Sequence, residues 1–386
     1  MASTITPIVG ARLGGSDAWS GVPSAVYQLG AAVAAVLWGR AMETLGRRPT
    51  LMLGMASGTA GAFLACAAVS AQRLPPFLCG VLLMGVAQAA LQLGRFVSAE
   101  VHLPASRGRA IARVVLGGTV GAVVGPLLVA PASGAAAFLG VDPLAGPFAA
   151  SGLLFVAVAG VLALLLHPEP RELARLVTAA AAGEGDAGRP ERRPTRQILS
   201  DPLVVLAMAT MICGQVVMVM LMVVTAVHMT HHDHPLSSIS AVLSSHVFGM
   251  FAFSLVSGRL TDALGRQKVI ALGAAILLVS CVLAPLSASV GSLAASLLLL
   301  GLGWNLCYVG GSSLLADRLT PGERARTQGF NDFLMGSVSA AGSLTSGLVF
   351  AHAGYSWMAG AGAVLSAALF ALGWVIRARP VPGAGR

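Results

Sequence analysis

The chain has 386 residues, of which 56% are hydrophobic and 10% are charged. A soluble globular chain carries about a quarter charged residues, so this composition excludes a single water-soluble core. The formal net charge of +9 is scattered over short connections rather than gathered on one face, which argues against a nucleic-acid partner.

In chain order, the first nine to fifteen residues, with Ile5, Pro7, Ile8 and Val9, are apolar but too short to span a bilayer. They read as the tail of an N-terminal helix, either truncated here or beginning upstream. Apolar runs then follow at 18–38, 50–70, 77–98, 110–130 and 147–166, and again at 203–227, 238–258, 269–287, 291–315, 327–350 and 356–376. Each is long enough to cross ~30 Å of hydrocarbon. The reading is an all-α membrane protein with about eleven full spans, in contact with the lipid bilayer over most of its length.

Between the two sets lies the only long polar stretch, 167–200, with Pro168, Pro170, Pro190 and Pro194. It reads as a linker between an N-terminal bundle (1–166) and a C-terminal bundle (201–379), with 380–386 as a tail. A short helix is expected over 170–182. Basic residues crowd every second connection: Arg40, Arg47 and Arg48; Arg107 and Arg109; the linker; Arg259, Arg266 and Lys268; Arg318, Arg324 and Arg326; Arg377 and Arg379. That asymmetry places the linker and the C-terminus in the cytoplasm, and a multi-pass protein of the cell inner membrane is expected. Cys66, Cys79, Cys213, Cys281 and Cys307 all fall inside predicted spans and form no CxxC pair, so neither a disulfide framework nor a zinc site is expected.

The two halves repeat. Gly39-Arg40-x-x-Glu43-x-Leu45-Gly46-Arg47 matches Gly258-Arg259-x-x-Asp262-x-Leu264-Gly265-Arg266, an offset of 219 residues. Pro104-x-x-Arg107-x-Arg109 is echoed by Pro321-x-x-Arg324-x-Arg326. Glycine permits the tight turn at the membrane surface. The acidic residue can pair with arginine and cap a neighbouring helix, forming a latch that breaks when the halves rock. On these motifs the sequence resembles the major facilitator superfamily. The resemblance implies a transporter, not an enzyme, built from two pseudo-symmetric six-helix bundles, here with the first helix apparently truncated. A Gly117-Gly118-x-x-Gly121-x-x-x-Gly125-Pro126 stretch fits close helix packing with a kink, and a similar stretch occurs on the fifth span of facilitator drug antiporters.

No nucleotide-binding signature or nucleophile–base set is present, so no cofactor and no catalytic residues are expected. The chemistry gathers in 208–254. Met208, Met211, Met218, Met220, Met222 and Met229 lie on one span and its end, and His228, His231, His232, His234 and His246 follow. Met218 and Met222 are four residues apart and share a helix face, as do His246 and Met250. Met211 and Gln215 extend the first stripe. With a rise of ~1.5 Å per residue, Met222 and His246 fall about 10 and 12 Å below the outer ends, and Met218 and Met250 about 16 and 18 Å. Four neutral ligands thus stand at matched levels on neighbouring spans. Thioether and imidazole together select Cu(I) over harder ions, and an ionisable residue inside a span marks a functional site. His228, His231, His232 and His234 are candidates for collecting metal at the mouth, with Met211 and Cys213 as auxiliary ligands. The packing alternative stays open, because methionine is also a flexible filler of apolar helices.

MxxxM followed by HxxxM on the seventh and eighth spans resembles the CcoA-like branch of the superfamily, bacterial copper importers that supply cbb3-type oxidase assembly. His246-x-x-Gly249-Met250-Phe251 and Gln328-Gly329-x-Asn331-Asp332-Phe333 look like that branch too. The resemblance implies that Met218, Met222, His246 and Met250 bind copper as transported substrate. Riboflavin carriers belong to the same branch, so a facilitator for a small organic solute, in vitamin uptake or drug efflux, remains the alternative. Trp304, Asn305, Cys307 and Tyr308 are its cavity candidates. A non-transporting sensor or an intramembrane enzyme is a third, weaker reading. No carboxylate falls near mid-membrane, which argues against a proton-coupled drug antiporter. A monomer is expected.

Overall fold

The computed structural model describes residues 2–102, 107–181, 193–319 and 321–378. They form helices and turns, with no strand among the described residues, as hydrocarbon requires of a chain that must satisfy its backbone internally. The chain divides into two compact units, Met1–Ala187 and Gly188–Arg386. The first holds α1 (Ala2–Gly14), α2 (Val22–Thr44), α3 (Arg47–Ser70), α4 (Leu74–Glu100), α5 (Arg107–Leu127), α6 (Val129–Phe138), α7 (Gly146–Leu165) and α8 (Pro170–Ala181). The second holds α9 (Thr195–Leu199), α10 (Pro202–His231), α11 (Leu236–Phe251), α12 (Ser254–Leu264), α13 (Arg266–Leu283), α14 (Val290–Arg318) and α15 (Pro321–Ala378). The short helix expected over 170–182 is α8. The Pro104 motif residue and the 380–386 tail lie outside the described residues.

By length and composition, nine helices among the described residues can cross a membrane, or ten if the pair Leu116–Leu127 and Val129–Phe138 is one span. The stretch Phe330–Ile376 has 47 residues and as one rod would reach about 70 Å, more than twice the ~30 Å core. Gly354, at φ 77°, breaks it. Large apolar side chains such as Leu164, Leu255 and Trp357 stand exposed, which suits a lipid-facing surface.

Two predicted spans are not continuous. The run expected over 110–130 is a helix to Leu127, a turn at Leu128 and a second helix to Phe138, bent by 46°. Pro126 and Pro131 flank that turn, and each lacks the N–H that would carry the ladder through it. The run expected over 238–258 is interrupted at Ala252–Phe253, between α11 and α12. No proline or glycine explains the second interruption.

In the second unit α10 starts cleanly: the Asp201 carboxylate accepts the Leu203 N–H at 2.9 Å, and Pro202 takes the first helical position. α14 packs against α10, α11 and α13. Where α11 and α14 cross, glycines face each other's backbone. A Cβ on Gly301 would collide with the His246 carbonyl and stand 2.8 Å from the Met250 nitrogen, and one on Gly249 would collide with the Leu298 carbonyl. Gly301→Ala is therefore expected to destabilise the detergent-purified protein by about 1–3 kcal/mol, read as a lower thermal midpoint. Gly336→Ala, where a Cβ meets nothing within 4 Å, should leave the midpoint equal or higher.

Candidate functional site

The three thioethers singled out from the sequence meet in the second unit. Met218 and Met250 are buried, at 7% and 9% exposure, and pack in one apolar cluster with Val219 and Val223. Half-buried Met222, Phe251 and Trp304 complete it. Met218 and Met222 arrive from α10, Met250 and Phe251 from α11, and Trp304 from α14.

His246 lies one turn from Met250 on α11 and is fully buried. Its Nδ1 is 3.0 Å from the Leu297 carbonyl oxygen of α14. A carbonyl only accepts, so Nδ1 carries the proton and Nε2 is left bare. Nε2 is buried and has no hydrogen-bond partner among the described residues. An imidazole held by a carbonyl through one nitrogen, with the other free, is arranged as metal-binding histidines are.

Beside the α11–α12 interruption, Asn305 of α14 donates from Nδ2 to the Met250 carbonyl at 2.6 Å and to Ser254 Oγ at 3.0 Å. Its Oδ1 accepts from Ser257 Oγ at 2.5 Å. One amide thus joins the last turn of α11 to the first turn of α12. Sequence reasoning placed Asn305 in a cavity, whereas the structure buries it in this bridge. Cys307 is buried too, its Sγ at 2.9 Å from where a Gly273 Cβ would stand. The helical repeat explains the division: residues 304 and 308 share one face of α14, and 305 and 307 turn away from it.

On that shared face Trp304 stacks on Tyr308 with ring centroids 5.0 Å apart and planes at 12°. Phe251 meets Trp304 edge-on at 6.3 Å. Trp304 Nε1 donates to Gln215 Oε1 at 2.9 Å, and Gln215 Nε2 donates to Ser339 Oγ at 2.8 Å. Phe251, quoted from the sequence only as part of a branch motif, was not among the cavity candidates.

α10 runs through to His231, so His228 and His231 are helical, while His232 and His234 lie in the connection that follows. His228 stacks on Tyr355 at 4.2 Å and meets His232 at 4.4 Å, while His231 lies against Phe350 at 5.7 Å. His234 Nε2 is 2.8 Å from the Ala288 carbonyl. No group of three or more His, Cys, Asp or Glu side chains fit to hold a metal occurs among the described residues. Cys213 is half-buried, and Met211 packs in a separate cluster.

The repeated glycine–arginine motif has matching geometry in both units. Gly46 and Gly265 take φ of 102° and 87°, a region side-chain-bearing residues avoid. Arg47 Nε donates to Glu100 at 3.0 Å and Nη1 to the Met42 carbonyl at 2.7 Å. Arg266 Nε donates to Asp317 at 2.9 Å and Nη1 to the Thr261 carbonyl at 3.2 Å. Arg266 also pairs with Asp262 at 3.2 Å. The side chain of Glu43 lies outside the described residues. Arg40 and Arg259 are exposed, and Gly39 and Gly258 face open space. The sequence reading missed Glu100 and Asp317. Their signal was available, since they share the 217-residue offset of the second echo. At the start of α3 Glu169 acts as a cap, its Oε1 accepting the Arg47 N–H at 2.6 Å and the Arg48 N–H at 3.3 Å.

The family model described as Major Facilitator Superfamily matches residues 1–236 and 218–386. The chain belongs to the major facilitator superfamily. It is accordingly a multi-pass membrane transporter and not an enzyme. It is 32% identical over 365 residues to the uncharacterized MFS-type transporter YdeG of Bacillus subtilis (strain 168), covering 94% of this chain and 84% of that one. It is 30% identical over 348 residues to the riboflavin transporter RfnT of Brucella anthropi, covering 90% and 84%. The inward-open xylose transporter XylE of E. coli shares the facilitator fold, with a TM-score of 0.66 at 14% identity over 99% of this chain and 93% of that one.

Burial separates the polar contacts by energy. Asn305→Leu leaves the Met250 carbonyl and Ser257 unpaired and is expected to cost about 1–3 kcal/mol. Asp317→Asn loosens a pair exposed at 31% and 52% and is expected to cost less than about 1 kcal/mol. Thermal unfolding of the two variants side by side checks the order.

Proposed function

We propose that this transporter imports copper as Cu(I), handed between Met218, Met222, His246 and Met250. The observation that carries this reading is the bare, buried Nε2 of His246 one turn from a three-thioether cluster. Thioethers are neutral, prefer soft cations and need no deprotonation, so they suit an ion that must enter hydrocarbon and leave again. The finer kinship with CcoA-like importers rests on the same four residues. In this reading the segment 167–200 is a cytoplasmic linker between the bundles 1–166 and 201–379, and the C-terminus is cytoplasmic in the inner membrane. The distribution of basic residues supports that orientation.

A second reading has its own support. Phe251, Trp304 and Tyr308 form an aromatic wall with Gln215 as a polar handle, a surface suited to a flat organic solute. The relative RfnT is a riboflavin transporter.

Uptake of radioactive copper by cells lacking their own importer separates the two. Met222→Ala and His246→Ala are each expected to abolish copper uptake while the protein still reaches the membrane. Trp304→Ala should leave at least a tenth of it. Unchanged copper accumulation in Met222→Ala and His246→Ala, with riboflavin uptake lost in Trp304→Ala, would replace the copper reading with the organic one.

A further inference from the structure

A second group of sulfur ligands lies further along α10. Met211 of α10 and Met335 of α15 converge on one amide: Asn331 Nδ2 is 3.6 Å from Met211 Sδ and 3.4 Å from Met335 Sδ. Asn331 is fully buried, and its Oδ1 has no hydrogen-bond partner among the described residues. Thioether sulfur is a weak acceptor, so the amide is poorly served at its nitrogen and unserved at its oxygen. Exchanging the two by turning the amide over, which the heavy-atom positions equally allow, leaves the same deficit. A buried polar group normally has a strong partner; with the amide turned over, its carbonyl oxygen is the atom that stands 3.6 and 3.4 Å from the two sulfurs, so one oxygen and two soft donors face one another.

The rest of the pocket fits a cation of low charge. Ile198, Val204, Leu206, Ala207, Met208 and Leu315 belong to the same buried apolar cluster as Met211 and Met335, with Tyr308 packed against it. A divalent ion would be costly in such surroundings, whereas two thioethers favour a soft monovalent one. Gly311 lets α14 lie close against Met211: a Cβ there would stand 2.9 Å from both Met211 Cγ and the Ala207 carbonyl and 3.7 Å from the Met211 sulfur.

We propose that Met211, Met335 and Asn331 form a second site for a soft monovalent cation, two helical turns from the Met218 cluster. Seven residues separate Met211 from Met218, which keeps both on one face of α10 about 10 Å apart. Gln215 lies between them. The inference rests on the soft-cation reading above and deepens it: the cargo has two stations on one helix face.

The test uses the full chain in detergent micelles with Ag(I) as a redox-inert probe. Silver bound per chain is counted by mass spectrometry after desalting, in the wild type, in the double variant Met211→Leu/Met335→Leu and in Met218→Leu/Met222→Leu. Leucine nearly conserves methionine's volume. Where a variant unfolds, silver-edge X-ray absorption of the wild type at one and two equivalents replaces it, with a sulfur shell expected at both. The expected result is two silver ions in the wild type and one in each double variant. Two ions retained in Met211→Leu/Met335→Leu overturn the site, and so does a second equivalent with no sulfur neighbour. One ion in the wild type, kept in Met211→Leu/Met335→Leu and lost in Met218→Leu/Met222→Leu, overturns this site and leaves the copper reading intact. One ion with the opposite pattern supports this site and removes the Met218 reading. No bound silver removes both.

Discussion

In hydrocarbon a backbone carbonyl at an interrupted helix must find a donor inside the protein, and the Met250 carbonyl finds Asn305. The rest of the candidate site depends on that bond. Asn305 also engages Ser254 and Ser257, so both sides of the interruption are held from α14. Met250 and Phe251 are the last residues before the interruption, and both face Met218, Met222 and Trp304. A polar residue that a hydropathy profile would count as a blemish in α14 is what allows α11 to end beside the thioethers.

Each unit also carries one arginine bridge built on the repeated motif. Arg47 with Glu100 and Arg266 with Asp317 reproduce each other down to the backbone carbonyl that each Nη1 reaches. Both join helices within one unit. Arg193 adds another pair in the second unit, with the buried Glu323 at 2.8 Å. The Glu323 hydrogen bond pushes the Arg193 guanidinium above its ordinary value.

Most of the architecture was legible because its cause is local. Apolar runs of about 20 residues announce spans, and Gly125-Pro126 announces a kink, though not the full break at Leu128. The interruption at Ala252–Phe253 was not legible, since its stabilising partner stands 53 residues away in α14. Rise per residue put Met218 and Met250 at one level, and they share a cluster. The direction of the His246 ring needed the α11–α14 crossing, which draws Nδ1 to Leu297. Spacing marked Met211 as part of a stripe, and a motif included Asn331, but neither hinted that Met211, Met335 and Asn331 meet, because contacts between distant spans leave no periodic trace in a single sequence.

The glycine crossing of α11 and α14 has a mechanical outcome. Backbone meets backbone there, with carbonyls seated in the notches left by Gly249 and Gly301, so neither helix can slide past the other without lifting off. The two behave as a single slab bearing His246, Met250, Phe251 and Trp304. α10 touches α11 only sparsely and meets the slab mainly through α14. Any widening of the gap between the α10 sulfurs and Met250 is therefore a tilt of that slab against α10, and it carries the imidazole and the indole along with the thioether.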